Sequence, residues 1–247
     1  MAARILAGAL AGAGATVVLN DAYPDAIPSL GLSRPKDIKL TYFDIAGVAD
    51  KVRIAMHIGG IAFEDDRVSF AQWPSIKPTT PNGQLPLMES GGKRYTQSSA
   101  MLQLVGKLTG LQSRDPWAAL LVDEVIGLDE DFRKKVAPSV YVAYDKSLSA
   151  RQKKAKVAPM RKTIAEEDIP FYFSRFEKKL EENEYLTGPK VTIADVQFLT
   201  TVRWMSSGIL DGIPATCLDP FPKIKAFKEK MEAIPEVAAY LESTKKK

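Results

Sequence analysis

Cysteine and histidine are almost absent from this chain of 247 residues, which contains only Cys217 and His57. A single cysteine cannot form a disulfide within the chain. One cysteine and one histidine cannot build a zinc site by themselves, and they make a nucleophile pair only if the fold brings them together. We therefore predict that both residues are structural and that the protein binds no metal.

Acidic residues are nearly absent between Arg133 and Lys162, where ten lysines and arginines accompany one acid, Asp145. Such a run could attract anionic ligands or nucleic acid. No motif that interleaves aromatic and basic residues accompanies it, so we interpret it as a solvated face of two helices and predict no nucleic-acid partner. The formal net charge of +4, with 26% charged residues, is that of an ordinary soluble protein.

Charge is also absent from residues 5–19, ILAGALAGAGATVVL. This run is shorter than the ~20 residues of a membrane-spanning helix. It fits the apolar part of a secretory signal, and Gly8 and Gly12 have a spacing that packs helices in membranes. We expect residues 1–37 to be a targeting or anchor segment with a proline-rich linker, and a disordered or docked tail is the alternative. Association with a membrane would depend on this leader.

Strand and helix patterns alternate after the linker. The stretch KLTYF is typical of a short strand, and GVADKVRIAMHIGG has apolar residues at helical spacing before two glycines. A second strand is expected around residues 61–68, followed by a loop, FAQWPSIKPTTPNG. Two short strands joined by Ser90-Gly91-Gly92 then precede a helix that ends at Gly110. The order βαβ followed by ββα predicts an α/β unit whose first two strands are parallel.

No strand pattern appears after Pro116, and four or five long amphipathic helices are predicted from there to the end. In TGPKVTIADVQF, Thr192 is the expected helix N-cap and Asp195 completes a capping box. The whole chain is therefore predicted to combine a small α/β unit with an all-helical unit. That architecture alone defines no function.

Six short motifs follow one another in an order that is typical of one protein family. They are KLTYF, WPSIK, GQLP and TQSSA, then VDEVIGLDEDF and GPKVTIADVQF in the helical half. Together they resemble the soluble glutathione transferases, and most of all the sigma class, which includes the glutathione-dependent prostaglandin D synthases. The resemblance covers about residues 38–242. It implies a thioredoxin-like glutathione-binding domain over 38–112, an all-helical domain over 113–247, a homodimer, and glutathione as co-substrate or cofactor.

The resemblance also implies which residues bind glutathione. Leu85, before a cis Pro86, would offer its backbone to the cysteinyl part, like an added strand. Gln97 and Ser98, at the start of a helix, would hold the γ-glutamyl carboxylate. Read without the family, Leu85-Pro86 is a trans turn and Ser98 is an ordinary helix cap.

Three further contacts follow from the same resemblance. Trp73 and Lys77 match the indole and ammonium that hold the glycyl end of glutathione. Asp131 matches the acid that reaches across the dimer to the γ-glutamyl amine. The alternative interpretation is a loop anchor for Trp73 and surface charges for Lys77 and Asp131.

The chemistry is assigned to Tyr42, at the end of the first strand. A thiol with a pKa near 8.5 is mostly unreactive at neutral pH, and a phenol that donates a hydrogen bond to the sulfur favours the thiolate. The family often has an arginine where this chain has Val48, so we predict a less acidified thiol. Arg53 is expected about 140° around the helix and unable to replace that arginine, whereas Lys51, about 60° away, could lean in.

Three functions are consistent with these residues. The first is glutathione conjugation of electrophilic small molecules, a detoxification chemistry. The second is glutathione-dependent isomerisation of a prostaglandin-type lipid, and the third is a scaffold with little catalysis. Tyr141 and Trp204 are the expected neighbours of the electrophile, whose identity the sequence does not reveal. Because reduced glutathione is abundant inside cells and organelles, a cytoplasmic or organellar location is more coherent than secretion.

Overall fold

The computed structural model describes the backbone of residues 26–27 and 32–33 and all of residues 37–245. Ala26–Ile27 (β1) and Leu32–Ser33 (β2) pair as two very short antiparallel strands. The expected leader at residues 5–19 lies outside the described part of the chain. Among the described helices, none combines the length and apolar character needed to cross a membrane.

A mixed sheet of four strands forms the N-terminal region. Its strands are β3 (Ile38–Phe43), β4 (Phe63–Val68), β5 (Leu87–Ser90) and β6 (Lys93–Thr96), in the order β4-β3-β5-β6. Strands β3 and β4 are parallel, and β5 and β6 are antiparallel to their neighbours. This confirms the predicted βαβ and ββα order. The second strand starts two residues later than expected, because Ile61 and Ala62 belong to the turn that follows the first helix.

The helices of this region are α1 (Asp50–Ile58), α2 (Trp73–Ile76) and α3 (Ser98–Thr109). A 3₁₀ turn, Gly47–Ala49, leads into α1, and Gly110 ends α3 in the left-handed conformation that favours glycine. The prediction of a plain loop after β4 was wrong, because α2 and a 3₁₀ turn, Lys77–Thr79, lie there. Each has a proline in its first turn, where the missing N–H needs no partner.

Six α-helices follow, one more than the largest number predicted: α4 (Pro116–Tyr144), α5 (Ala150–Thr163), α6 (Ile169–Glu182), α7 (Ile193–Met205), α8 (Pro222–Glu232) and α9 (Pro235–Lys245). A π-helical turn, Ile164–Asp168, joins α5 to α6. No strand longer than an isolated bridge occurs in this part of the described chain. The predicted capping box at the start of α7, between Thr192 and Asp195, is confirmed.

One apolar core runs through both regions. It includes Leu40 on β3, Val52 on α1, Val105 on α3 and Phe198 on α7, all fully buried. Helix α1 packs against α3, α7 and α9, so the end of β3 and the start of α1 lie between the sheet and the helical region. The turn between these two elements is therefore held from several sides, and it carries Tyr42 at its entrance.

Candidate active site

Tyr42 lies near the end of β3 with its side chain 8% exposed. Its hydroxyl oxygen accepts a hydrogen bond from the backbone N–H of Val48 at 3.4 Å, which leaves the hydroxyl proton free to be donated elsewhere. Burial raises the pKa of Tyr42, as does Tyr141, whereas the Val48 N–H and Arg53 act to lower it. The phenol thus stays protonated at neutral pH and can act as a donor.

Arg53 is fully buried beside Tyr42, with its guanidinium carbon 5.7 Å from the centre of the tyrosine ring. It donates to the carbonyl of Ile45 at 2.9 Å and to Asp65 at 2.9 Å. Val48 is exposed whereas Arg53 is fully buried, so the two side chains lie on different faces, in keeping with the predicted angle of about 140° between them. Arg53 therefore contacts the tyrosine ring from the buried side and does not occupy the position of the missing arginine.

Val48 and Lys51 are the other two residues near the position of the missing arginine. Val48 is partly exposed, and it contributes its backbone N–H and no charge to the turn. Lys51 is buried, and its ammonium donates to Ser99 and Gln197 instead of the tyrosine. That Lys51 leans in to stand for the missing arginine stays a prediction; in the structure its ammonium is engaged at the start of α3 and on α7.

Trp73 and Lys77 lie on the segment that follows β4. The indole packs edge-on against Phe43 at 5.6 Å between ring centres, and Phe43 in turn contacts Tyr42 at 5.5 Å. This chain of aromatic contacts places α2 next to the end of β3. Lys77 is exposed, and its aliphatic stem lies over Gly83. Its ammonium has no ion pair in the described structure.

The Leu85–Pro86 peptide bond is cis, as predicted. Pro86 is buried and Leu85 is half-buried just before β5 starts. No hydrogen bond joins the backbone of Leu85 to any described residue. Its N–H and C=O are therefore available to an extended peptide that runs alongside.

Gln97 and Ser98 form the start of α3, where the backbone is unusual. Gln97 is the N-cap residue and has φ +76° and ψ +101°, the only positive φ of a non-glycine residue in the described chain. No side chain caps this helix, so the alternative interpretation of Ser98 as the cap is wrong. A helix start with unpartnered N–H groups and a strained entry residue is suited to a carboxylate ligand.

Asp131 stands apart from these residues in the single chain. It is exposed on α4 and pairs with Lys134 at 2.9 Å, one turn away. The acid that contacts the start of α3 within the chain is Glu130, which accepts a hydrogen bond from Ser99 at 2.6 Å.

The two expected neighbours of the electrophile are placed differently. Tyr141, on α4, is 75% exposed and close enough to Tyr42 to influence its pKa. Ile45 and Val48, also exposed, lie on the turn next to Tyr42. These side chains give the outer part of the site an apolar and aromatic character. Trp204 is half-buried and packs against the core, without a recorded contact to Tyr42.

Sequence reasoning missed the steric role of Gly47 beside Tyr42. It also missed the polar residues that support the site: Arg53 as a brace, Ser99, Glu130 and Gln197. An arginine within the apolar run VRIAM could have been noticed, because a charge on the buried face of a helix must be paired. The contacts of Ser99 and Gln197 join segments far apart in the chain, so no local pattern could have revealed them.

Comparisons with known proteins agree with this fold. The family described as glutathione S-transferase, C-terminal domain, matches residues 130–244. Glutathione S-transferase S1 of Drosophila melanogaster is 32% identical over 204 residues, which cover 82% of this chain and 77% of the fly protein. A glutathione S-transferase of Anopheles gambiae is 32% identical over 210 residues, 83% of this chain and 95% of the mosquito protein.

Among solved structures, prostaglandin synthase D of Nilaparvata lugens is similar with a TM-score of 0.73 and 30% identity, over 83% of this chain and 97% of that one. A thioredoxin-like sheet followed by a helical region, together with these relatives, defines a class of glutathione-dependent enzymes. The chain belongs to the glutathione S-transferase family.

Proposed function

We propose that this glutathione S-transferase is a sigma-type enzyme in which Tyr42 activates the glutathione thiol for attack on electrophilic small molecules. The observation that carries the proposal is the Tyr42 hydroxyl: its oxygen accepts from the Val48 N–H, so its proton is available to the sulfur. A hydrogen bond to the ionised sulfur favours the thiolate, which is the nucleophile.

Glutathione would be bound along the edge formed by the start of β5 and the start of α3. The unpaired backbone of Leu85 supports the cysteinyl contact, and the uncapped helix start at Gln97 and Ser98 supports the carboxylate contact. Trp73 and Lys77 would hold the glycyl end, since α2 is packed against Phe43 next to the site. These contacts leave the thiol beside Tyr42.

The electrophile would lie on the outer side of Tyr42, against Tyr141 and the exposed Val48, with Trp204 further along α7. An apolar surface can hold such a compound beside the thiolate, and holding the two reactants together supplies much of the rate enhancement. With Val48 in place of a charged side chain, the acidity of the thiol depends on Tyr42 and on the buried Arg53.

We also propose that the protein is a homodimer, with residues 38–112 as the glutathione-binding domain and 113–247 as the helical domain. Exposed apolar side chains on β6, α3 and the start of α4 support a dimer surface: Tyr95, Leu104, Trp117, Leu120 and Leu121. Gln103 on α3 donates to Asp123 on α4, so these helices lie side by side. Asp131 would act across this dimer.

The test is conjugation of glutathione to 1-chloro-2,4-dinitrobenzene by the full chain and by Tyr42→Phe. We expect kcat of the variant to fall roughly tenfold to a hundredfold, because one to two pKa units of thiol acidity are lost. The ultraviolet absorbance of the bound thiolate, followed against pH, should shift to higher pH by the same amount. Tyr185→Phe, a tyrosine of the helical region that packs on the core, is the matched control and should retain activity.

Isomerisation of a prostaglandin-type endoperoxide is the second candidate, favoured by the likeness to the prostaglandin synthase D structure. It would use the same thiolate without consuming glutathione. An enzyme that binds glutathione but conjugates nothing, and that converts the endoperoxide, would select this function. Glutathione binding without either activity would favour the scaffold role.

A further inference from the structure

A lysine is buried where the helical region meets the start of α3. Lys51, on α1, is 6% exposed. Its ammonium donates to the side-chain oxygen of Gln197 at 2.8 Å and to the hydroxyl of Ser99 at 3.1 Å. Both acceptors are neutral, and no carboxylate in the described part of the chain forms an ion pair with it. A buried cation on neutral acceptors is unfavourable for stability, so its presence points to another role.

The two acceptors are oriented by neighbouring acids on α4. The Ser99 hydroxyl donates to Glu130 at 2.6 Å, so its lone pairs are left for Lys51. The amide nitrogen of Gln197 donates to Asp129 at 3.0 Å, which turns the amide oxygen towards the lysine. Each hydrogen bond in the series Glu130–Ser99–Lys51–Gln197–Asp129 therefore pairs a donor with an acceptor. Each bond also orients the side chain that makes the next one.

These bonds connect three separate parts of the site. Helix α1 begins two residues after Val48, whose N–H contacts Tyr42. Ser99 is the second residue of α3, next to the uncapped helix start. Gln197 belongs to α7 in the helical region. A single ammonium thus joins the first turn of α1, which directly follows the turn at Val48, to the first turn of α3 and to the helical region.

We propose that Lys51 is a positioning residue for glutathione: its bonds to Ser99 and Gln197 hold the first turn of α3 in the geometry that binds the γ-glutamyl carboxylate. This rests on the proposed function, in which Gln97 and Ser98 receive that carboxylate. Free N–H groups at a helix start bind an anion only when they are aligned on it. The first turn of α3 has no side-chain cap of its own, so its alignment must come from such a neighbour.

The positive charge of Lys51 also favours binding of the γ-glutamyl carboxylate. Burial lowers the pKa of Lys51 to about 8, so the side chain is still predominantly charged at neutral pH. Nearby Arg133 lowers this pKa further, and Glu130 and Asp129 oppose that effect. A positive charge behind the start of α3 adds to the helix dipole, and both favour an anionic ligand there.

The experiment measures glutathione affinity by isothermal titration calorimetry, and KM and kcat by conjugation to 1-chloro-2,4-dinitrobenzene, on the full chain. The variants are Lys51→Met and Ser99→Ala, alone and together. Arg161→Met is the matched control, because Arg161 is a buried cation of the helical region that donates to a carbonyl, that of Asp211. All variants are first checked for folding by circular dichroism.

We expect Lys51→Met to weaken glutathione binding and raise its KM about tenfold, while kcat at saturating glutathione changes less than about threefold. Ser99→Ala should weaken binding less than Lys51→Met. The double variant should be little worse than Lys51→Met alone, because each single substitution already breaks the Lys51–Ser99 hydrogen bond. Arg161→Met should leave glutathione affinity unchanged.

Equal glutathione affinity in the wild type, Lys51→Met and Ser99→Ala would overturn the role of Lys51. A second result would also overturn it: Lys51→Met and Arg161→Met both lose kcat while KM is unchanged. That pattern would report general damage to the protein. If Lys51→Met does not fold, the glutathione affinity of Ser99→Ala tests the proposal, and an affinity equal to that of the wild type would overturn it. A wild-type protein that binds no glutathione overturns the proposed function itself, and that result is recognised before any variant is compared.

Discussion

The hydroxyl oxygen of Tyr42 lies only 2.5 Å from the position that a Cβ atom on Gly47 would take. The ring carbon Cε1 is 2.7 Å from the same point. Gly47 also has φ +50°, a conformation that side chains disfavour. The turn therefore passes so close to the phenol that only glycine fits, and this contact is what brings the Val48 N–H to the hydroxyl.

Gly47→Ala should abolish most of the activity while the fold survives. The added methyl must displace the Tyr42 ring or the turn, and a misplacement of about 1 Å can reduce the rate a hundredfold. The left-handed backbone adds a loss of stability of about 1–2 kcal/mol. Conjugation rates and urea unfolding measure the two effects separately.

Gly60→Ala is the matched control for this prediction. Gly60 has φ +61°, but a Cβ there would meet no atom within 4 Å. It should lose about the same stability and keep its activity. If both variants lost the same share of activity, backbone strain would be responsible and the contact with Tyr42 would not matter.

Much of the fold could be predicted because its signals are local. KLTYF gave the strand Ile38–Phe43, and Thr192 with Asp195 gave a helix start, since strand propensity and capping act over a few residues. The short helix at Trp73 was missed because proline was interpreted as a loop signal, although proline also starts helices.

The candidate site was predictable only where a motif carries it. Leu85-Pro86 and Gln97-Ser98 could be proposed as binding residues because each pair is adjacent in the chain, and the cis bond of the first pair is confirmed. The contact of Lys51 with Gln197 joins residues 146 positions apart, and it exists only after the two regions have packed. The bonds of Arg53 to Asp65 and to the Ile45 carbonyl likewise form only when α1 packs against the sheet, and no residue pattern marks them.

Arg53→Met should destabilise the protein and reduce activity together. The guanidinium is fully buried and holds both Asp65 and the Ile45 carbonyl, so its removal leaves a cavity beside Tyr42 and breaks the bonds that tie the turn after β3 to β4. We expect a loss of about 3 kcal/mol in the free energy of unfolding and about a tenfold fall in kcat/KM. Urea unfolding and conjugation kinetics are the measurements.

Arg67→Met tests whether the loss of activity comes from Arg53 itself or from disturbing Asp65, which both arginines contact. Arg67 also donates to Asp65, at 2.8 Å, and to Asp44, at 3.1 Å, but its side chain contacts neither the Ile45 carbonyl nor the Tyr42 ring. It should lose only about 1 kcal/mol and keep near-normal activity. Equal losses of activity in the two variants would contradict a specific role for Arg53.

Asp195→Ala should be among the most destabilising single changes in the helical region. Its carboxylate accepts from the Thr192 N–H and hydroxyl and from the Leu186 N–H, each at 2.8 Å, and the side chain is fully buried. Loss of the cap and two buried N–H groups left unpaired should reduce stability by about 3 kcal/mol. Thr192→Ala, which removes only the hydroxyl of the capping box and keeps both backbone bonds to Asp195, should lose about 1 kcal/mol. Similar midpoints of thermal unfolding for the two variants would contradict this ranking.

Lys51 should also make stability depend on pH in a defined direction. Burial lowers its pKa from 10.5 to about 8, so between these values the unfolded chain binds more protons than the folded protein. The stability due to this residue is therefore fully present above 10.5 and lost as the pH falls through about 8. Lys51→Met removes this titration. We expect the unfolding free energy of the wild type, relative to the variant, to increase by about 2 kcal/mol between about pH 7 and about pH 9.5. Guanidinium unfolding at several pH values measures it, and two parallel profiles would show that the ammonium is not buried as the structure has it.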